Sequence, residues 1–187
     1  TQRRYDFINA ARGLTDDKIL ALAIDNDNAC WIGTTKGISK IMNDAEGKIV
    51  VLKIQDLDKY TISCATKAPD GNIWFGTYGN GIIILSSETK NSVIINSKED
   101  KLANDNISNI FFADDHTVYI STLGGGIIKA KVNLEGVQKT FDIEKTFTEN
   151  EGLGSNYVYA VITDDKSRLF VGTDGGGLQM FDNGKFT

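Results

Sequence analysis

Apolar residues come in short runs along this chain, each closed by a polar turn. Residues 19–24, 30–34, 38–42 and 49–54 are four such runs in succession. They are rich in β-branched and aromatic residues and bounded by Asp, Asn and Gly, which predicts strands joined by tight turns. The first run is nearly all aliphatic, so burial on both faces is expected. The plan then recurs. A second group is 62–66, 73–77, 82–85 and 92–95, with Pro69, Asp70, Gly71 and Asn72 making its first turn. A third is 107–112, 118–122, 127–132 and 139–147, with a longer linker around 133–145. A fourth is 158–163, 169–173 and 178–181, with Phe186 and Thr187 as the rest of its outer strand. Tyr5 to Ile8 resembles the outer strand of a preceding unit. No segment shows helical periodicity.

The second run of each group carries a common motif. It reads WIGTTKGI from Trp31, WFGTYGNGI from Trp74, YISTLGGGI from Tyr119 and FVGTDGGGL from Phe170. Each is strand, glycine turn, strand. Leu14, Leu57, Leu102 and Leu153 each lie 17 residues before the aromatic of their group. From aromatic to aromatic the steps are 43, 45 and 51 residues. A fixed register at this period marks a solenoid or propeller, and four antiparallel strands per unit mark a propeller blade. The expected fold is therefore all-β: a β-propeller of about four blades, each of four antiparallel strands. The blades are expected at 14–56, 57–101, 102–152 and 153–187, with 1–13 supplying the outer strand of a preceding blade. This distribution reads as a segment of a larger, seven-bladed type of propeller. A β-sandwich accounts for many strands but not for the constant offset.

Composition narrows the function classes. A net charge of −5 argues against nucleic acid, because phosphate binding needs a basic surface. No run approaches the ~18–20 apolar residues of a membrane span. Cys30 and Cys64 occupy small or apolar strand positions and read as free, buried thiols.

Several patterns resemble chemical motifs. The triple glycines Gly124–Gly126 and Gly175–Gly177 are followed by strands, not by the helix a phosphate-cradling loop requires, so they read as hairpins needing positive φ. Asp25-Asn26-Asp27-Asn28 opens like a calcium loop, but its sixth position is Cys30 and its twelfth Lys36. His116 is the single histidine, which excludes a histidine-rich metal site or a catalytic triad. Asp16 and Asp17 pair in a loop, where solvation explains them better than acid–base chemistry. No cofactor is expected. The threonines after the glycines, and the recurring Trp31, Trp74, Tyr119 and Phe170, read as blade construction. Function is then expected where the units differ.

Two loops per unit should share one face: the loop leading into the innermost strand and the glycine turn. Their variable residues include Tyr60, Tyr78, Asn80, Asn106, Asn156, Tyr157 and Asp174. Aromatic faces beside amides and carboxylates suit a carbohydrate or small polar ligand. Ordinary polar loop surface is the competing account.

The pattern of Gly13-Leu14 with Trp31 to Thr34 and Gly37-Ile38, repeated at Gly152-Leu153 with Phe170 to Thr173 and Gly177-Leu178, resembles the two-component regulator propeller repeat. The second unit lacks the glycine before Leu57, and the third departs most, with Tyr119 and Ser121. The resemblance implies a non-catalytic, periplasmic sensor segment of a membrane-bound histidine kinase, of the hybrid type through which gut Bacteroides respond to glycan fragments. It implies as partners an oligosaccharide or small-molecule ligand, the remaining blades and domains of the same sensor, and a homodimer. This segment itself is not expected to span the membrane or to transfer phosphate. A propeller lyase or hydrolase and a protein-interaction scaffold are the alternatives. Metal-dependent lyases with similar blades need histidines near the axis.

Overall fold

The structure, a computed structural model, describes residues 7–86, 92–134 and 140–187. These form four separate four-stranded antiparallel sheets, each a meander in chain order. Blade one comprises β1 (Ile19–Ile24), β2 (Cys30–Thr34), β3 (Gly37–Asn43) and β4 (Ile49–Lys53). Blade two comprises β5 (Ile62–Lys67), β6 (Ile73–Thr77), β7 (Ile82–Leu85) and β8 (Ser92–Ile95). Blade three comprises β9 (Ile107–Phe112), β10 (Thr117–Thr122), β11 (Ile127–Asn133) and β12 (Thr140–Phe147). Blade four comprises β13 (Val158–Thr163), β14 (Leu169–Thr173), β15 (Gly177–Asp182) and β16 (Lys185–Phe186). The innermost strands pack side by side in the order β1, β5, β9, β13. This is propeller architecture, and a two-sheet sandwich is excluded. The long third step reflects a longer outer hairpin, with seven residues in β11 and eight in β12.

The core lies between blades. One cluster joins Ala21, Ala23 and Trp31 of blade one to Ile62, Ile73, Phe75 and Ile83 of blade two. A second joins Trp74 and Ile82 to Ile107, Ile110, Val118 and Ile120. A third joins Ile127 and Phe147 to Val158, Val161, Leu169 and Val171. The recurring aromatic faces the following blade: Trp31 meets Phe75 at 6.2 Å between ring centroids, and Trp74 meets Phe112 edge-on at 5.1 Å. Leu57, Leu102 and Leu153 each sit in one of these three seams.

The motif glycine is a packing residue, not a turn residue. Gly33 lies within β2, and a Cβ added there would stand 2.4 Å from Ile62 Cγ2 of the next blade. At Gly76 it would meet Cys64 Sγ at 2.5 Å and Ile107 Cγ2 at 2.7 Å. Ile62 and Ile107, the first residues of β5 and β9, thus press on the bare backbone of the blade before them. Where Ser121 replaces the glycine, the residue that opens the next innermost strand is Val158, one methylene smaller than isoleucine; both are fully buried. Every innermost strand also bulges just after that residue, with register shifts at Ile19/Ala21, Ile62/Cys64 and Val158/Ala160, and between Ser121 and Thr122 on the partner of β9.

The leucine preceding each blade needs a left-handed residue before it. Gly13 (φ 109°) and Gly152 (φ 91°) close the 3-10 turns Ala10–Arg12 and Glu149–Glu151. In blades two and three the same position is held by Asp56 (φ 63°) and Lys101 (φ 60°). The missing glycine of unit two therefore changes the residue and keeps the conformation, at a cost of about 1–2 kcal/mol for a side chain held there.

Two expectations are modified. Ile19–Ile24 is not buried on both faces: Ala21 and Ala23 pack on blade two, while Leu22 is 60% and Ile24 51% exposed. An aliphatic run registers suitability for a two-sided seam, and here one side has no blade against it. Blade four shows the same on its far face, where Ile162 is 58% and Leu178 76% exposed. Tyr5, Asp6 and Lys139 lie outside the described residues, and Phe7 and Ile8 belong to no strand.

Gly76→Ala should destabilise by about 1–3 kcal/mol, the scale of overpacking a core. Gly172→Ala should be nearly neutral in this chain, because an added Cβ there meets only the Ala160 carbonyl oxygen, at 4.0 Å. Chemical denaturation of both variants measures the contrast; equal losses would remove the packing role assigned to the glycine. Lys101→Gly should stabilise by up to ~1 kcal/mol through relief of the left-handed strain.

Candidate functional site

The loops leading into the innermost strands and the glycine turns lie at one end of every blade, since Ile62 pairs with Thr77 and Val158 with Thr173. The motif threonines build this face. Thr34, Thr77, Thr122 and Thr173 each donate through Oγ1 to the carbonyl of the glycine that closes their turn, at 3.0, 2.7, 3.0 and 3.2 Å. Thr34, Thr77 and Thr122 Oγ1 also accept an N–H from inside the loop.

Backbone bonds then latch the blades together. Each turn donates to the loop ahead of its own blade: Thr35 to Lys18, Tyr78 to Thr61, Leu123 to Asn106 and Asp174 to Tyr157. The first three also donate across the seam: Gly37 N–H to the Tyr60 carbonyl, Gly79 and Gly81 to Asp105, Gly124 and Gly126 to Asn156. The face is a chain of interlocked loops whose backbone is fixed and whose side chains are free to vary. In blade one, Asp16 accepts from Thr35 Oγ1 at 2.8 Å and from the Lys18 N–H, which hold its carboxyl down at about 2. Asp17 Oδ1 accepts from Ala10 N–H. These carboxylates tie loops together.

The residues singled out in the sequence fall into distinct settings. Tyr60 and Asn80 line one cleft of about 330 Å³, together with Asn96, Lys98, Glu99 and Asp105. Tyr60 is only 9% exposed and packs in the seam between blades one and two, so its edge alone reaches the cleft. Asp105 is anchored, accepting from Ser97 N–H at 2.7 Å and Ser97 Oγ at 2.6 Å. Tyr78 and Tyr157 are the open aromatics of the face, at 48% and 54% exposure. Asn106 bonds Asn104. The Asn156 side chain accepts from Glu149 N–H at 2.9 Å and so secures the turn before blade four. Asp174 is exposed at the blade-four turn. Lys98, Glu99 and Asn104 were not singled out from sequence. Asn104 carried a usable signal, an Asn two residues before Asn106 where an Asx turn forms.

The opposite end holds the other candidates. Asp25 is buried, and both its oxygens face donors. Oδ1 accepts from Asp27 and Ala29 N–H at 3.0 and 2.9 Å, and Oδ2 takes Trp31 Nε1 at 2.9 Å and Lys40 Nζ at 2.8 Å. Lys40 also lies 4.6 Å over the Trp31 ring. That donor shell fills the place a calcium ion would need, and no group of three or more metal-ligating side chains occurs among the described residues. Burial pushes the Asp25 carboxyl up, but Lys40, Trp31 and the Ala29 N–H outweigh it and the net shift is downward. Blade two has Ala68 at this place in the turn, and Trp74 Nε1 has no hydrogen-bond partner among the described residues. His116 lies in the β9–β10 turn at this same end, bonded through its N–H to Asp114. Cys30 and Cys64 are free, and burial pushes the Cys64 thiol up to about 11.

Four meandering sheets with one interlocked loop face define the class: a β-propeller. Residues 13–36 and 56–79 match the family described as two component regulator propeller, and blades one and two thus carry that repeat. The chain is similar to histidine kinase P4 of Formosa agariphila, 24% identical over 185 residues, covering 94% of this chain and 13% of the kinase. It superposes on the extracellular domain of a hybrid two component system from B. thetaiotaomicron with a TM-score of 0.70 at 23% identity, over 89% of this chain and 21% of that one. The virginiamycin B lyase of Staphylococcus aureus shares the fold at a TM-score of 0.59 and 14% identity, over 91% of this chain and 54% of the lyase. The chain therefore spans a small part of its kinase relative. No helix among the described residues is long and apolar enough to cross a membrane.

Asp25→Asn should destabilise near neutral pH by about 3–5 kcal/mol, the cost of breaking a buried ion pair. Because the folded carboxyl is more acidic than the unfolded one, its contribution is full above about pH 4–5 and lost as pH falls through the folded value. Urea melts from pH 7 to pH 2 should show parent and variant converging on acidification; a constant gap would overturn the assignment.

Proposed function

We propose that this chain is the non-catalytic propeller portion of the periplasmic sensor region of a two-component histidine kinase, and that its turn face takes part in recognising a glycan or another small polar ligand. The observation that carries the reading is the regulator propeller repeat at 13–36 and 56–79, in a chain whose similarity to a histidine kinase runs over nearly its whole length. Further blades of the same sensor cover the exposed seams at Leu22 and Ile24 and at Ile162 and Leu178. A homodimer of the sensor would relay the signal. The face itself supports recognition: two half-exposed tyrosines and several amides project from a backbone held by cross-blade bonds, so little ordering is required on binding. Catalysis of the lyase kind is not favoured, since the chain has one histidine and it lies at the end away from the turn face.

The test is the autophosphorylation rate of the full-length protein in lipid nanodiscs, with and without a panel of oligosaccharides. At least one sugar should change the rate. Tyr78→Ala should weaken that response by about 1–3 kcal/mol in apparent affinity, while Trp74→Ala should destabilise the blade by roughly 3–5 kcal/mol. A rate indifferent to every sugar overturns the glycan reading, and a full-length sequence without a kinase overturns the whole reading.

A further inference from the structure

One constellation on the turn face has its hydrogen-bonding polarity set by the backbone. Asn104 Oδ1 accepts from the Asn106 N–H at 2.7 Å and from Asn106 Nδ2 at 3.1 Å. That carbonyl is fully occupied, so the Asn104 amide has one orientation and its Nδ2 is the free end. A Cβ built on Gly124 would stand 3.2 Å from this Nδ2 and 3.8 and 3.9 Å from Cζ and Oη of Tyr157. Asn106, having given its Nδ2 to Asn104, keeps Oδ1 as a free acceptor, 3.9 Å from the place of a Cβ on Gly79. A ledge thus crosses the turns of blades two and three and reaches blade four. It offers an amide donor, a phenol hydroxyl and a carbonyl acceptor above glycines that place no side chain between them.

The ledge is also rigid and accessible. Leu123 and Tyr157 form a β-bridge, and Gly124 and Gly126 N–H bond the Asn156 carbonyl at 3.0 and 2.9 Å. Tyr157 nevertheless keeps 54% of its surface exposed. A flat ring beside one donor and one acceptor, with no cation among them, matches a ring whose neighbouring hydroxyls both donate and accept. Asp174, whose N–H bonds the Tyr157 carbonyl at 2.8 Å, puts an exposed carboxylate nearby and disfavours an anionic sugar.

We infer that Asn104, Asn106 and Tyr157 form a subsite for one neutral pyranose ring. The ring stacks on Tyr157, one hydroxyl accepts from Asn104 Nδ2 and an adjacent hydroxyl donates to Asn106 Oδ1. This rests on the reading of the turn face as a ligand surface, and it adds Asn104 as the residue that sets specificity for an acceptor.

The experiment is calorimetric titration of the full-length protein in nanodiscs with cellobiose, maltose, laminaribiose and a disaccharide containing a uronic acid. One of the neutral sugars should bind, and the acidic one should bind at least tenfold more weakly. Asn104→Asp is the decisive variant, because it keeps the Oδ1 that holds Asn106 and replaces the N–H donor with a charged oxygen that cannot donate. It should leave the melting temperature unchanged and weaken the neutral sugar tenfold or more, as should Tyr157→Ala. Parent-like affinity in Asn104→Asp overturns the subsite. If binding then falls in Tyr78→Ala instead, the sugar sits elsewhere on the face and the broader function stands. Preference for the acidic sugar overturns the subsite as well, and binding of none of the four overturns both it and the glycan reading of this face.

Discussion

The first two seams of this fold depend on an aliphatic side chain pressing on a bare backbone, and the third on the small Ser121 at the same place. A four-stranded sheet cannot bury either face alone, so each blade is stable only against its neighbours. The seam closes because Ile62 and Ile107 fit where Gly33 and Gly76 have no side chain. Close approach brings Trp31 onto Phe75 and Trp74 onto Phe112, and the aromatics then fill the wider, outer part of each wedge. The bulge at the start of β5, β9 and β13 directs the first residue of each into the preceding blade. Where the glycine is lost, as at Ser121, the opposing residue shrinks to Val158, and the seam keeps its volume.

The same seam governs the turn face. Two sheets brought this close can exchange backbone bonds at their ends, and the N–H groups of Gly37, Gly81 and Gly126 do so with the carbonyls of Tyr60, Asp105 and Asn156. The threonine hydroxyls close the turns from within. Together they satisfy the polar backbone of loops that would otherwise be costly beside a packed core. Side chains on these loops are relieved of structural duty to different extents. Asn156 and Asp105 are occupied in holding loops, Tyr60 is mostly sunk in a seam, Asn104 holds Asn106 through its oxygen alone, and Tyr78 and Tyr157 project. This division separates residues that build the recognition surface from those able to meet a ligand.

Blades one and four show what a seam is worth by lacking one. Leu22 and Ile24 at one end, and Ile162 and Leu178 at the other, are as apolar as their buried counterparts and yet exposed. Apolar surface of this extent is unfavourable in water at roughly 25 cal/mol per Å². Gly172 offers the same vacant backbone as Gly33, with no knob against it. The faces are complementary in kind to those already paired within the chain.

By itself, the sequence determined the strand order, the blade period and the identity of the structural residues. The alternation of aliphatic runs with Asp and Gly turns sets where strands stop, and the 17-residue offset from Leu57 to Trp74 sets how they repeat, because both are local or periodic signals. The backbone role of the threonines was equally legible, since a hydroxyl at a strand end has few partners. Only the tertiary structure decided the rest. It showed that the motif glycine inside the strand makes room for the neighbouring blade, that Asp56 and Lys101 stand in for Gly13 and Gly152, and that Asp25 is held by Lys40 and Trp31. It also separated the candidate ligand residues, sinking Tyr60, binding Asn156 and bringing the unremarked Asn104 beside Tyr157. Each of these depends on which residues of different strands or blades meet, and sequence spacing does not encode that distance in space.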